Sequence, residues 1–282
     1  MTLIEARNRF RNQLSSLYAQ AEIDHIFKRS IAHYFNWEGI KIGLTPELIL
    51  HAEEEAILVE VVNSLADATP LQYILGETTF LGLILKVSPG VLIPRPETEE
   101  LVSWVLDEQN NTPKKAFDLC CGAGCIALAL AKQRTEWDIT GVDFSEKALK
   151  VAEENASDNR IEVNWKKTNI LNKKYQEAPT DLIISNPPYV LPSEKKQMHK
   201  NVLEHEPHEA LFVPENDPLL FYKAILDIGR ASFRSAGVIY FEINPLCVND
   251  LLVLGEEKGF GNAKVKKDIF GKDRFVKFSY AK

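Results

Sequence analysis

The sequence predicts an α/β protein in two parts: a small all-α N-terminal domain and a larger domain built on a mostly parallel sheet. Residues 1–75 carry apolar side chains at helical spacing. From about residue 96, short apolar runs alternate with helical stretches, a pattern that implies parallel strands covered by helices on both faces. We therefore expect domains at 1–75 and 96–282, joined by a connector at 76–95.

The N-terminal domain is predicted to be helical throughout. Apolar residues recur every three or four positions from Phe10 to Ile31. Thr45 followed by Pro46 predicts the start of a further helix, since a hydroxyl can cap a first turn and proline fits where no backbone donor is needed. The apolar side of that helix would include Leu50, Ile57, Val61 and Leu65.

The connector is predicted to be a short hairpin or an extended segment. Its apolar run, 80–87, is too short for a typical helix and is bounded by Gly76 and by Ser88-Pro89-Gly90. We place the boundary between the two domains in this connector.

The larger domain is predicted to alternate strands with helices. The strands are Lys115–Leu119, Asp138–Val142, Ile161–Trp165, Leu182–Ser185, Val238–Glu242 and Phe275–Tyr280. The helices lie around 124–133, 146–156, 217–230 and 248–258. Ligands of open parallel sheets bind beyond the carboxyl ends of the strands, so the residues that follow these strands are the candidates for a site.

Composition and charge exclude several classes of protein. The chain has 282 residues, with 33 Lys and Arg against 40 Asp and Glu, which gives a net charge of −7. This balance argues against a protein that wraps duplex nucleic acid, because such affinity comes from basic groups on phosphates. No run approaches the roughly 20 apolar residues of a membrane span, and the first residues do not resemble a secretory signal. We expect a cytoplasmic protein with no membrane and no stable nucleic-acid partner.

The cysteines indicate neither disulfides nor a metal site. Cys120, Cys121 and Cys125 crowd one segment, and Cys247 lies far from them in the sequence. Adjacent cysteines argue against a disulfide framework and for a reducing compartment. A structural zinc site needs a fourth ligand at regular spacing, and no His lies near these three residues. We interpret them as small side chains that fill a tight turn.

A glycine-bearing turn is the first candidate site. The segment from Ala116 to Ala127 is typical of a strand that passes through a turn into a helix, with Gly122 and Gly124 in the turn. Glycines let a ligand approach the backbone, and a helix N-terminus presents free amides. Asp143 ends the next strand, where a carboxylate can accept hydrogen bonds from the hydroxyls of a ribose.

The same turn also matches the dinucleotide fingerprint, so an NAD site and a turn without any ligand stay open as alternatives. Asp118 lies in the approach to the turn, where its charge would repel a pyrophosphate but could attract an amino-acid ammonium. This position favours a sulfonium nucleoside over a dinucleotide.

Asn186-Pro187-Pro188-Tyr189 is the second candidate site, and it directly follows a predicted buried strand. The prolines lack backbone donors and fix the chain, so carbonyl groups can point inward. Asn186 offers a side-chain acceptor, and Tyr189 offers a flat face. These groups suit an NH2 on a planar conjugated system, since the Asn186 side-chain oxygen and the Pro187 carbonyl can each accept one N–H. The alternative is a proline-rich loop that only closes a strand.

Over nearly its whole length the chain resembles the peptide chain release factor glutamine N5-methyltransferases, the PrmC/HemK family. Ser185 to Tyr189 is similar to the catalytic motif of that family. Other segments resemble the connector, the domain entry and the later blocks of the family. They are Pro70–Gly76 with Phe80, Leu92–Glu99, Glu206-Pro207 with Ala210-Leu211, Phe221-Tyr222, Phe241–Ile243 and Asp268–Arg274.

The resemblance implies a Rossmann-like class I methyltransferase domain, preceded by a helical domain, 1–75, that recognises the substrate. It implies S-adenosylmethionine as methyl donor, S-adenosylhomocysteine as product, and the glutamine of the Gly-Gly-Gln loop of release factors as substrate. Those release factors would be the partners. The oligomeric state stays open, although nothing in the sequence demands more than a monomer. Asn186 to Tyr189 would bind the glutamine amide, with Asn186, Pro187 and Tyr189 catalytic. The cofactor residues would be Asp118, Cys120, Cys121, Gly122, Ala123, Gly124, Asp143, Asn169, Ile170 and Asn186.

Four residues depart from the family pattern, and all of them concern the cofactor. Cys120 stands where family members usually have glycine, and Cys121 stands where threonine is common. A cysteine at position 120 either needs a negative φ or narrows the cofactor pocket. Asn169 and Ile170 replace an acid and an aromatic residue. An amide oxygen can still accept from adenine, and isoleucine can pack on it, so we expect cofactor binding to persist but to be weaker.

Two further functions stay open at the level of the sequence. Adenine-N6 methylation of DNA or RNA uses a similar tetrapeptide on a base flipped from its stack, although the acidic balance weighs against it. A non-enzymatic binding module, in which Cys120 blocks the cofactor, is the other. Arg95 and Glu97 could line the substrate path or form structural pairs, and Glu242 could face the cofactor.

Overall fold

The chain forms two compact units. The computed structural model describes residues 1–37, 43–172 and 179–281. The first unit contains Met1–Gly76 and His199–His205, and the second contains Glu77–Met198 and Glu206–Lys282. No sequence pattern indicated that 199–205 belongs with the N-terminal helices. The predicted domain bounds 1–75, 76–95 and 96–282 stay a prediction.

The first unit is built from helices, whereas helices and strands alternate through the second. The helices are α1 (Leu3–Leu14), α2 (Gln20–Phe35), α3 (Ala52–Ala66), α4 (Leu71–Leu75), α5 (Pro96–Glu108), α6 (Cys125–Gln133), α7 (Glu146–Asn159), α8 (Lys200–His205), α9 (His208–Leu211), α10 (Leu220–Ser232) and α11 (Val248–Glu257), with 3-10 turns at Pro192–Gln197 and Pro245–Cys247. The strands are β1 (Glu77–Phe80), β2 (Leu83–Lys86), β3 (Lys115–Leu119), β4 (Asp138–Asp143), β5 (Asn164–Lys167), β6 (Thr180–Ser185), β7 (Phe233–Glu242), β8 (Gly261–Lys267) and β9 (Asp273–Ala281). Within the described ranges, no helix is both long enough and apolar enough to cross a membrane.

The first unit packs its helices around an apolar core. Helix α1 begins with a capping box, in which the Thr2 hydroxyl accepts from the Glu5 N–H at 3.3 Å and the Glu5 carboxylate accepts from the Thr2 N–H at 2.7 Å. Phe10 of α1 and Phe27 of α2 meet edge to face, with ring centroids 5.2 Å apart. The predicted all-α N-terminal region is confirmed.

The predicted helix start at Thr45-Pro46 is wrong, because α3 begins at Ala52. The segment before α3 instead satisfies free amides at the start of α1: the Leu3 N–H donates to the Leu48 carbonyl at 2.9 Å. Leu50 is buried ahead of the helix rather than within it. Helix α3 carries acidic residues in its first turn, where negative charge stabilises a helix N-terminus. These acids indicated the true helix start, but the Thr-Pro pair at 45–46 also matched a helix start and was preferred in the prediction.

A seven-stranded sheet forms the centre of the second unit, in the order β5-β4-β3-β6-β7-β9-β8. The pairings from β5 to β7 are parallel, and β9 pairs antiparallel with β7 and β8. Strands β1 and β2 form a separate antiparallel hairpin. The predicted α/β architecture with a mostly parallel sheet is confirmed.

Helix α5 and strand β8 are absent from the sequence prediction. Helix α5 has Pro96 in its first turn and buries Leu101, Val102 and Val105 at helical spacing, so its signal was present in the sequence. Strand β8 lies at the edge of the sheet, and almost all of its residues are exposed. No alternation of apolar and polar residues marks it, so only its pairing with β9 reveals it.

The sheet is buried on both faces, which explains its continuous apolar strands. In β6, Leu182 belongs to the core on the side of α5 and α6, and the next residue, Ile183, belongs to the core on the side of α10 and α11. At the carboxyl ends of β4 and β6, Asp143 and Asn186 place polar side chains at one edge of this sheet.

Candidate active site

A cavity of about 910 Å³, which includes space open to solvent, lies at the carboxyl ends of β3, β4, β5 and β6. It brings the two candidate sites together. The predicted residues that line it are Cys120 to Ala123, Asp143, Asn169, Ile170, Asn186 and Pro188. The predicted residues that do not line it are Asp118, Gly124, Pro187 and Tyr189.

The turn after β3 is built on left-handed backbone. Cys120, Gly122 and Gly124 have φ values of 63°, 54° and 80°. A Cβ on Gly124 would come within 2.6 Å of the Trp165 ring and 3.1 Å of Ala152. This glycine therefore lets α6 begin close to its neighbours, which is a packing role behind the cavity wall. Its predicted contact with a cofactor stays a prediction.

Cys120 keeps the left-handed conformation that glycine usually supplies. Of the two alternatives considered for Cys120, the negative φ is wrong, because φ is 63°; the residue lies at the cavity wall, as the other alternative requires. Such a conformation costs a residue other than glycine roughly 1–2 kcal/mol. Burial raises the pKa of the Cys120 and Cys121 thiols well above their ordinary value, so both are neutral. Within the described ranges, no group of three or more His, Cys, Asp and Glu side chains could hold a metal ion.

Asp143 ends β4 at the cavity wall and is 8% exposed. Its Oδ2 accepts from the Gly122 N–H and its Oδ1 accepts from the Ser145 N–H, each at 2.9 Å. Burial raises the pKa of this carboxyl, and the backbone N–H groups oppose the rise. Each carboxylate oxygen has two acceptor directions, so Asp143 is fixed in place and keeps capacity for the hydroxyls of a ligand.

Asp118 is fully buried beside the glycine turn. Its Oδ2 accepts from the Ala127 N–H of α6 at 3.1 Å, and its Oδ1 has no partner in the described part of the chain. Burial raises the pKa of the Asp118 carboxyl to about 8. The group is therefore largely protonated near neutral pH, and a cationic ligand in the adjacent cavity would favour its ionised form.

Within the tetrapeptide, Asn186 lines the cavity, whereas Tyr189 does not. The Asn186 Nδ2 donates to the Thr98 hydroxyl oxygen at 3.0 Å, and the Thr98 hydroxyl donates to Glu242 Oε2 at 2.7 Å. The Tyr189 hydroxyl donates to Glu242 Oε1 at 2.9 Å. Burial raises the pKa of this tyrosine well above its ordinary value, so the hydroxyl keeps its proton. The flat face predicted for substrate contact does not form part of the cavity wall.

Several cavity residues escaped the sequence prediction. Phe144 follows Asp143 directly and is 49% exposed, so an aromatic residue after the acid at a strand end was an available signal. Thr98 had no such signal, because its two side-chain partners lie 88 and 144 residues away in the sequence. Ser145, Thr168 and Phe221 are further examples.

Arg95 lines the cavity and also forms an ion pair. Its guanidinium contacts the Glu206 carboxylate at 2.6 Å, and the Glu206 side chain is only 1% exposed. The second Glu206 oxygen accepts from the Ile93 N–H at 3.2 Å. Arg95 therefore pairs structurally and also lines the cavity, and its place on a substrate path stays a prediction.

Comparisons with known proteins decide the family. The family model described as "Methyltransferase small domain" matches residues 98–211. The release factor glutamine methyltransferase of Flavobacterium psychrophilum is 39% identical over 99% of this chain and 100% of its own length. That of Bacteroides thetaiotaomicron is 36% identical over 94% of this chain and 96% of its own length. The chain belongs to the release factor glutamine methyltransferase family.

Solved structures share the fold of this family member. A methyltransferase from Pyrococcus furiosus has a TM-score of 0.54 at 16% identity, covering 82% of this chain and 100% of that chain. The 16S rRNA N2 G1207 methyltransferase of T. thermophilus has a TM-score of 0.52 at 19% identity, covering 73% of this chain and 49% of that chain. At such identities the likeness shows the fold alone. The predicted class I fold, the predicted family and the methyltransferase class of this release factor glutamine methyltransferase family member are confirmed.

Proposed function

We propose that the protein methylates the side-chain amide nitrogen, N5, of the glutamine in the Gly-Gly-Gln loop of translation release factors. S-adenosylmethionine would be the methyl donor, and S-adenosylhomocysteine the second product. One observation carries the proposal: a single cavity is lined by the glycine turn, by Asp143 and by Asn186. A nucleoside held by the turn and the carboxylate would share that cavity with an amide held by Asn186.

The cavity wall suits S-adenosylmethionine, which supplies a methyl group on a positively charged sulfur. Asp143 would accept from the ribose hydroxyls. Asn169 and Ile170 would flank adenine, and the Asn169 oxygen, which accepts from the Leu171 N–H at 2.9 Å, keeps a second acceptor direction. Phe144 offers at the same wall the aromatic ring that Ile170 lacks. The buried Asp118 Oδ1, beside the turn, has no hydrogen-bond partner among the described residues, and this suits a cationic ligand in the adjacent cavity.

The tetrapeptide suits a carboxamide. An amide nitrogen is a poor nucleophile because its lone pair is conjugated with the carbonyl group. The Asn186 Oδ1 and the Pro187 carbonyl can each accept one N–H and thereby hold the nitrogen towards the methyl group. Positioning of this kind can supply on the order of 7–11 kcal/mol of the barrier. The same hydrogen bonds strengthen as the nitrogen becomes positive, which stabilises the transition state.

The same proposal assigns residues 1–75 to recognition of the release factor and treats the enzyme as a cytoplasmic monomer. The net charge of −7 supports a protein partner over a stable complex with nucleic acid. Light scattering of the purified chain, alone and with a release factor, measures both the oligomeric state and the complex.

Methyl transfer from labelled S-adenosylmethionine tests the proposed substrate. The chain is incubated with a release factor or with nucleic acid, and the Gly-Gly-Gln peptide is analysed by mass spectrometry. We expect one added methyl group on the glutamine side chain. Label found only in nucleic acid would replace the proposal with adenine-N6 methylation. No transfer, together with no S-adenosylhomocysteine binding in calorimetry, would indicate a non-enzymatic binding module.

A further inference from the structure

A chain of hydrogen bonds behind the cavity links Asn186 to a buried carboxylate. Asn186 donates to Thr98 at 3.0 Å, and Thr98 donates to Glu242 at 2.7 Å. Glu242 accepts from Tyr189 on its other oxygen at 2.9 Å. Thr98 is 2% exposed and Glu242 is 1% exposed, so both side chains are largely shielded from water, although Thr98 and Asn186 also line the cavity. Thr98 belongs to α5 and Glu242 ends β7.

The direction of this chain is fixed by its carboxylate end. Burial raises the pKa of Glu242, while the hydrogen bonds from Thr98 and Tyr189 and the nearby Arg274 guanidinium oppose the rise. Both hydroxyls donate to this carboxyl group, and in its ionised form Glu242 has no proton to give in return. Thr98 has a single hydroxyl proton, and that proton is used on Glu242. Thr98 can therefore only accept from Asn186, which must turn its NH2 group towards Thr98. The Asn186 Oδ1 is then the end of the carboxamide left for the cavity that Asn186 lines.

The orientation matters because the two ends of a carboxamide have nearly the same size, so shape alone does not choose between them. In the reversed orientation, Asn186 would present N–H groups to the N–H groups of a substrate amide. Two donors would then face each other, and the acceptor that holds the reacting nitrogen would be lost.

We propose that Thr98, held by Glu242, is a positioning residue that sets which end of the Asn186 carboxamide faces the substrate. The inference rests on the proposed function, because it concerns the acceptor offered to the glutamine amide. Nothing in the role requires Thr98 to touch the substrate. It requires only that Thr98 keep its hydroxyl, so serine should replace it and valine, which has almost the same shape, should not.

The test compares T98V with T98S in the full chain. Initial rates of methyl transfer are measured with a release factor as substrate, and S-adenosylhomocysteine affinity is measured by calorimetry. For T98V we expect kcat/KM for the release factor to fall about 10- to 100-fold, and for T98S to stay within about 3-fold of wild type. Both variants should bind S-adenosylhomocysteine within about 2-fold of wild type. A T98V variant as active as wild type, or a T98S variant as impaired as T98V, would overturn the inference.

A spectroscopic readout separates this inference from the proposed substrate. The side-chain NH2 signals of Asn186, assigned by their loss in N186A, are followed in 15N-labelled protein without any substrate. In wild type and T98S one N–H should show the downfield shift and slow exchange of a hydrogen-bonded proton, and T98V should lose both. Unchanged signals in T98V would overturn the inference, even if the release factor is methylated. Conversely, a wild type that fails to methylate the release factor would refute the proposed substrate while the signals still report the orientation.

A third variant covers a failure of T98V to fold. T98A removes the hydroxyl without placing a methyl group beside Asn186. If T98V loses S-adenosylhomocysteine binding, T98A must show the same fall in kcat/KM and the same change of the Asn186 signals. Wild-type kinetics in T98A would then overturn the inference.

Discussion

The cavity wall has two sides, and different kinds of contact hold them. We call the wall around the glycine turn and Asp143 the nucleoside side, after the ligand proposed for it, and the wall around Asn186 the tetrapeptide side. On the nucleoside side, Asp143 accepts from the N–H groups of Gly122 and Ser145, which lie 21 and 2 residues away in the sequence. On the tetrapeptide side, Asn186 reaches Thr98 across 88 residues, and Thr98 reaches a carboxylate across 144. The first side is held by backbone groups of adjacent strand–turn–helix segments, and the second by side chains that are distant in the sequence.

Because of this difference, substitutions on the two sides of the cavity should have different effects. The nucleoside side needs only adjacent strand–turn–helix units, whereas the tetrapeptide side needs α5, β6 and β7 to be packed together. We expect changes on the nucleoside side to alter cofactor affinity and changes on the tetrapeptide side to alter turnover. Substitutions at Asn186 and Asp143 test that separation.

N186A should lower kcat about 100- to 1000-fold, because it removes the acceptor at the reacting nitrogen. S-adenosylhomocysteine affinity should change less than about 2-fold, because this side chain donates to Thr98 and not to the nucleoside side. Steady-state methyl transfer and calorimetry measure the two quantities. N249A, on the exposed part of α11, is the matched control. Near-normal turnover in N186A would remove the assigned role of this residue.

D143A should weaken S-adenosylhomocysteine binding about 10- to 100-fold, because it removes both the ribose acceptor and the acceptor of the Gly122 N–H. D143N keeps the size and one acceptor oxygen, so its loss should be smaller. Calorimetry gives the affinities, and transfer at saturating cofactor gives the turnover. If D143A lowers kcat at saturation but not affinity, the separation between the two sides is broken.

D118N should flatten the pH dependence of stability. The pKa of Asp118 is about 8 in the folded chain, above the value of about 3.9 in an unfolded chain. Between these values the folded chain holds one more proton, so the free energy of unfolding falls as pH rises, by about 1.4 kcal/mol per pH unit from this group. The stabilising effect is complete below about pH 4 and is lost as pH rises through about 8.

Urea unfolding at pH 5 and pH 7.5 measures this slope. Asp143 and Glu242 also have raised pKa values through burial, so the comparison of D118N with wild type isolates the contribution of Asp118. D107N, at an exposed position, should leave the slope unchanged. Equal slopes in D118N and wild type would show that Asp118 is ionised in the folded chain.

C120G should raise the free energy of unfolding by about 0.5–1 kcal/mol. Relief of a left-handed cysteine, worth roughly 1–2 kcal/mol, is partly offset by the greater backbone freedom of glycine when unfolded. C120A keeps the strained φ of 63° and should not gain stability. Urea titration of the two variants decides the point, and equal stabilities would place no strain at this turn.

The fold and the cavity wall around Asp143 could be predicted because their signals are local. Apolar runs predicted most of the strands, although β5 lies at Asn164–Lys167 and not at Ile161–Trp165. The glycines of the turn take the positive φ values that favour this residue. Asp143 was found because an acid at the end of the next strand is a short-range pattern. Strand β8 could not be found in this way, because an exposed edge strand carries no apolar alternation.

The tetrapeptide side could be predicted only as a motif. The motif predicted Asn186 at the reaction centre and the flat face of Tyr189 against the substrate. Asn186 lines the cavity, whereas Tyr189 does not line it and donates its hydroxyl to Glu242. The roles of both residues stay predictions. Thr98 was missed because no pattern in a single sequence shows that residues so far apart form hydrogen bonds with each other. The helix start predicted at Thr45-Pro46 was wrong for a related reason. The carbonyl groups of that segment accept hydrogen bonds from backbone amides of α1, which are distant in the sequence.

The burial of β6 on both faces leaves its alignment along β3 undecided by apolar pattern, because a shift of one residue would exchange one apolar face for another. Polar bonds at its two ends decide it: the Asp181 carboxylate accepts from the Lys115 N–H at 2.8 Å, and the Ser185 hydroxyl donates to the Leu119 carbonyl. A slip would break both bonds and move Asn186 by about 3.3 Å, roughly one residue rise. Ser185, which is fully buried and does not line the cavity, thereby fixes how far Asn186 lies from the turn after β3.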